Sequence, residues 1–70
     1  MSEIKFVTRK PRLDAWDYCF SYPHVDSAIK KAEYIQSHGF EVVIHSRRGF
    51  ESGRGFWELY VVYTKKVRGN

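Results

Sequence analysis

One cysteine in seventy residues excludes an internal disulfide. A reducing, cytoplasmic setting is the simplest home for such a chain. Long apolar runs are missing too: none approaches the ~20 residues that cross a bilayer. The opening MSEIKFVTRKPR holds no apolar core of signal-peptide length. A soluble protein without membrane contact is therefore expected. Metal-ligand spacing is absent. Cys19, His24, His38 and His45 stand 5, 14 and 7 residues apart, which matches no usual zinc pattern. Cys19 falls mid-strand, with no elbow or helix N-terminus to activate it as a nucleophile. Asp14, Asp17 and Glu58 read as solvated or arginine-paired carboxylates rather than an acid–base pair. No catalytic residue, metal or cofactor is expected, and the chain reads as a non-enzyme. Repeats, low-complexity blocks and linkers are lacking as well. Residues 1–70 should form one domain, with 65–70 as a frayed basic tail.

Aromatic residues are plentiful. Five Tyr, five Phe and two Trp supply large buried areas to a core that seventy residues could otherwise hardly fill. Charge is plentiful and segregated. Residues 1–12 carry a net +3, residues 13–46 a net −3 and residues 47–70 a net +4. Basic ends that met in space would form one positive surface suited to a polyanion.

Periodicity predicts a ββαββ order. EIKFVTR (3–9) reads as a first strand, broken by Pro11. In DAWDYCFSY (14–22), Trp16, Tyr18, Phe20 and Tyr22 alternate with small or polar residues, a period of two. After Pro23, Val25, Ala28, Ile29, Ala32 and Ile35 follow helical spacing. Ser21 or Asp26 is the candidate cap, and Gly39 suits the left-handed position beyond the C-terminus. Lys30, Lys31, Tyr34 and Ser37 should face outward. FEVVIHSR (40–47) and FWELYVVYT (56–64) read as the last two strands. The economical layout is α+β, one helix on one face of a small, mainly antiparallel sheet. The face the helix leaves uncovered is expected to show Val43, His45, Arg47, Tyr60 and Val62, an apolar surface for a partner, for stacked bases or for a second copy of the chain.

Between the last strands lies RRGFESGRGF (47–56), with three arginines and three glycines. Gly49, Gly53 and Gly55 permit positive φ and close backbone approach. Arginine offers a planar fork that matches phosphate oxygens. The stretch reads as a flexible loop longer than a hairpin requires, and as a phosphate-binding finger. Arg47, Arg48, Arg54, Lys5, Arg9, Lys65 and Lys66 are the candidate phosphate contacts, with Phe50 and Tyr60 as stacking candidates. RGFWELYV (54–61) begins like an RNA-recognition-motif signature. Trp57 and Glu58 break the pattern, and the chain has no room for that fold's second helix.

AWDYCFSYPHVDSAIKKAEYIQSHGFEV resembles the domain pattern of the ribonuclease E inhibitor RraB family. The likeness spans residues 11–63: an aromatic strand, an alanine-rich helix, Gly39-Phe40-Glu41-Val42 and a later strand bearing Trp57. It implies a βαββ unit that acts by binding another protein. The basic charge and the arginine stretch depart from that pattern, and no functional residue is carried over. Two partners are therefore expected from the sequence. The first is RNA or a single-stranded nucleic acid held by the arginine–glycine hairpin. The alternative is an acidic protein surface bound by a regulator or inhibitor, such as an accessory protein of a phage or other mobile element, which could pair as a homodimer.

Overall fold

Ten residues, Pro11 among them, separate the first two strands too widely for a hairpin, and that separation sets the topology. The computed structural model describes residues 4–67. Strand β1 (Lys5–Val7) lies at one edge of a four-stranded sheet and β2 (Tyr18–Tyr22) at the other. Helix α1 (Val25–Ser37) then leads into β3 (Phe40–Glu51), and a hairpin returns the chain as β4 (Gly55–Lys66). The order across the sheet is β1-β3-β4-β2. β1 runs parallel to β3, while β3–β4 and β4–β2 are antiparallel. The sheet is thus mixed, not mainly antiparallel as expected. β1, β2 and β3 all point one way because a crossover, not a tight turn, follows each of the first two.

α1 forms where the spacing puts it. Its N-cap is His24, without a side-chain capping bond, so neither Ser21 nor Asp26 plays that part; Asp26 sits in the first turn, where its charge suits the dipole. Gly39 ends the helix at φ 87°. Two alanines set how closely the helix approaches the sheet. Ala28 and Ala32 are wholly buried against Val42, Ile44 and Val62, with Ile4, Tyr22, Ile29, Ile35 and Tyr60 packed around them.

The register of β4 corrects the expected faces. Val62 lies opposite Ile44, and Tyr60 opposite Ser46. Both therefore point to the helix side, and Val62 is fully buried there. The other face carries Val43, His45, Val61 and Tyr63. It is not bare, because Val7 and Trp16, at the two ends of the β1–β2 connection, pack on Val43, Val61 and Tyr63. Val43 and His45, expected to be displayed, are each only 8% exposed; of the expected face, Arg47 alone is open.

Trp16 also leaves the aromatic stripe. A 3-10 turn at Leu13–Ala15 delays the start of β2 to Tyr18. The Asp17 N–H donates to the Thr64 carbonyl, and the Asp17 carboxylate accepts from the Lys66 N–H, which fixes the entry to the strand. Trp16 then meets Tyr63 edge-on, ring centroids 6.4 Å apart. Lys65 and Lys66 belong to β4 rather than to a frayed tail; Glu3 of the predicted first strand and residues 68–70 of the predicted tail lie outside the described residues. Among the described residues no helix is long and apolar enough to cross a membrane.

The close seat of the helix is testable. Ala32→Leu should overpack the layer between α1 and β3 and lower stability by about 1–3 kcal/mol. The readout is the midpoint of urea unfolding followed by far-UV circular dichroism; an unchanged midpoint would show that the helix is free to lift.

Candidate nucleic-acid interface

The arginine–glycine stretch 47–56 looks like loop, yet most of it is ladder. β3 and β4 stay paired through Arg48↔Glu58, Gly49↔Trp57, Phe50↔Phe56 and Glu51↔Gly55. Only Ser52–Arg54 turn, and positive φ is found at Gly53 (90°) and Gly55 (83°) but not at Gly49. β1 ends opposite His45 and β2 opposite Tyr60. The hairpin beyond them has no lateral neighbour, and it projects for roughly 17 Å at 3.3 Å per residue. The molecule measures 51 × 25 × 16 Å as a result. The expected flexible loop is thus a two-stranded arm.

A bare hairpin is marginal in water, so cross-strand pairs have to hold it. Trp57 lies over Gly49. A Cβ built on Gly49 would stand 2.7 Å from the indole Nε1 and nearer still to two ring carbons. Glycine is required at 49 for space, not for a left-handed backbone. On the opposite side Phe50 meets Phe56 edge-to-face, centroids 5.1 Å apart. Next to them the Arg48 guanidinium pairs with Glu58 at 3.1 Å. The Tyr60 hydroxyl donates to the other Glu58 oxygen at 2.6 Å. At the turn Arg54 stands 3.6 Å from Glu51.

The arm gathers part of the predicted site and excludes the rest. Arg47, Arg48, Phe50 and Arg54 are exposed on it, and Tyr60 stands half-buried at its base. Arg47 and Arg48 point to opposite faces, by strand alternation. Phe50 and Phe56 are 65% and 86% exposed, an expense of apolar surface that cross-strand stability alone does not require. Around the edge of the ribbon a cleft of about 470 Å³ is lined by Glu51, Arg54, Phe56, Trp57 and Leu59. Lys65 and Lys66 occupy the far end of the same ladder, opposite Glu41 and Phe40. That is roughly 36 Å from the turn at 3.3 Å per residue. Lys65 is engaged there, 3.3 Å from Glu41 and over the Trp16 ring. Lys5 lies on the β1 edge opposite Val43, and Arg9 is exposed in the connection that follows. Lys65 and Lys66 therefore stand apart from the arginines of the arm.

Phe56, absent from the candidates expected from sequence, joins Phe50 on the arm. The signal was present: Phe50 and Phe56 stand symmetrically about Gly53, the spacing of a cross-strand pair around a three-residue turn. The histidines are scattered. His24 is the N-cap residue of α1, His38 meets Tyr34 edge-on and His45 is buried in the sheet. Lys31, expected to be solvated, lies over the rings of Phe20 and Tyr34 at 5.1 and 5.8 Å. No group of three His, Cys, Asp or Glu among the described residues is placed to hold a metal ion. Comparison with protein-family models, curated proteins and solved structures finds no match.

Two phenols have raised pKa values. Tyr60 is held above its usual 10.0 by its bond to Glu58, with desolvation and the carboxylate's charge adding to it. Tyr63 is raised by burial. Both favour the neutral phenol in the fold, so their contribution is complete below pH 10 and fades as the pH climbs through the raised values. Tyr60→Phe should therefore delete from the 295 nm absorbance titration a component ionising above pH 10. Loss of a component at or below 10 would count against the bond to Glu58.

Gly49→Ala should evict Trp57 from the ladder. In a Trp16→Phe background the remaining indole emission should shift to the red, and amides of residues 47–58 should exchange faster. Unaltered emission would mean the slot over Gly49 is not needed.

Proposed function

We propose that the protein is a non-enzymatic binding module that holds RNA or single-stranded nucleic acid along the β3–β4 arm. The observation that carries this reading is the exposed Phe50–Phe56 pair on a ribbon bearing Arg47, Arg48 and Arg54. Every base has a π-face, so aromatic stacking binds single strands with little sequence demand, at about 1–3 kcal/mol per base. The arginines supply forked donors to phosphate on both faces of the ribbon. Arg48 and Arg54 already have carboxylate partners, but both pairs are exposed. Such pairs are worth about 0–1 kcal/mol and yield readily to a phosphate. With Glu51 and Glu58 counted, residues 47–58 carry a net +1. Stacking therefore supplies most of the affinity in this reading, and charge the salt dependence. Nothing on the arm presents an ordered pattern of base-edge donors, so binding is read as general rather than sequence-specific.

A second reading is favoured by the Trp57–Leu59 face. Its cleft is mostly apolar, and an aromatic-rich arm can anchor a protein partner through a few buried rings. The likeness to the RraB pattern supports this regulator or inhibitor role. On that reading the arm, not an uncovered sheet face, is the contact surface.

Retention on immobilised poly(U) across a salt series separates the two. Arg47→Ala/Arg48→Ala/Arg54→Ala should flatten the slope of log K against log salt by about 2. Phe50→Ala/Phe56→Ala should weaken binding at every salt concentration by about 1–3 kcal/mol. Unchanged retention by both variants rules out the arm as the nucleic-acid site.

A further inference from the structure

The two edges of the sheet are not alike. β1 is three residues long and carries Lys5, the kind of short, charged edge that discourages pairing with another chain. β2 has no such protection. Its five residues Tyr18-Cys19-Phe20-Ser21-Tyr22 include no charge and no proline, and four of the five are exposed. Its outer side has no strand beside it.

The side chains of β2 form a palindrome of shape. On the helix side they read Tyr, Phe, Tyr; on the other side Cys, Ser. A two-fold joint demands a patch that complements itself, so that if residue i meets j, then j meets i. Antiparallel pairing centred on Phe20 meets that demand. Tyr18 falls opposite Tyr22 of the second copy, Phe20 opposite Phe20, and Cys19 opposite Ser21. Beside this strand, between β2 and α1, an open groove of about 520 Å³ is lined chiefly by Tyr18, Phe20, Tyr34, His38 and Phe40. We infer that β2 is the joint of a homodimer, in which two copies pair edge to edge into one eight-stranded sheet and close their aromatic grooves over the axis.

The area is sufficient. Tyr18, Phe20 and Tyr34 are 65%, 37% and 61% exposed. At roughly 150–250 Å² per aromatic side chain, they leave on the order of 350 Å² open in each copy. Both copies together, with two strand edges and the flanking Lys31 and His38, pass the ~1,000 Å² that a specific interface needs. A foreign strand could use the same backbone edge, but only a second copy is bound to supply the mirrored Tyr-Phe-Tyr. The geometry also sets a salt signature. Lys31 lies 5.1 Å from the Phe20 ring, so the two ammonium groups come together near the axis. Screening them strengthens the joint, whereas salt weakens polynucleotide binding.

Sedimentation equilibrium of the full chain should give twice 8.3 kDa at high protein concentration, more so as salt rises. Phe20→Lys and Tyr18→Lys should each return the monomer mass with the far-UV spectrum unchanged; Tyr18 is exposed enough that its variant tests the joint even if Phe20→Lys misfolds. The register has its own test. Wild type mixed with an isotopically labelled Cys19→Ser/Ser21→Cys variant sets two thiols directly opposite, with Cα atoms about 4.5–5.5 Å apart, within disulfide reach. Mild oxidation should then give mixed disulfides well above the statistical half. A monomer at millimolar concentration overturns the inference, including one that accepts only a foreign peptide at β2. So does a dimer indifferent to Tyr18→Lys with statistical disulfides.

Discussion

The ladder between β3 and β4 is the constraint on which everything else in this molecule rests. It runs from Phe40↔Lys66 to Glu51↔Gly55 without a break. At one end it supplies the middle of the sheet, where Val42, Ile44 and Val62 receive the helix and Val43, Val61 and Tyr63 receive Trp16. At the other end it has no neighbours and becomes an arm. β1 and β2 are short strips attached to the inner half. One continuous pairing thus makes both the core and the part that reaches away from it.

Core formation on both faces follows from a small helix and a short crossover rather than from two full layers. Ala28 and Ala32 let α1 sit low over the inner sheet, so thirteen helical residues are enough to bury that side. The opposite side is covered by Val7 and Trp16, placed there by a connection that has to travel from one edge to the other. What remains open is the arm, the groove beside β2 and the β2 edge. Apart from Phe6 on β1, the most exposed aromatic side chains lie in these places.

Much of this was legible from residue spacing. α1 showed in the apolar positions Val25, Ala28, Ile29, Ala32 and Ile35, and its end in Gly39. β3 and β4 showed in their alternation, though only in their inner halves. The outer halves were hidden because Gly49, Gly53 and Gly55 look equally permissive in a sequence. Gly49 serves a quite different end, a flat seat for an indole that only the register reveals. The faces of β4 were misread for a related reason. FWELYVVYT is apolar on both sides, so its alternation fixes a period but not a phase; the phase came from Val62 meeting Ile44 across the ladder. Trp16 was misassigned because the 3-10 turn before β2 breaks the count of two. Of the candidate site, the sequence showed the residue types, the arginines and phenylalanines, but not their arrangement. It could not reveal that Lys65 and Lys66 stand at the far end of the same two strands from Arg54.

The seat of Trp57 on Gly49 also acts as a key for strand alignment. Slide β4 by one residue and its two sides exchange, taking Val62 out of the core. Slide it by two and the indole meets Arg47 or Glu51, whose side chains deny it the flat bed that Gly49 provides. Only one alignment seats the ring, and that choice is made near the tip, among residues close together in the chain. Local closure of this kind is cheap in entropy and fast. One register serves both ends of the ladder: the alignment that seats the indole on Gly49 is also the one that sets Val62 opposite Ile44 in the core.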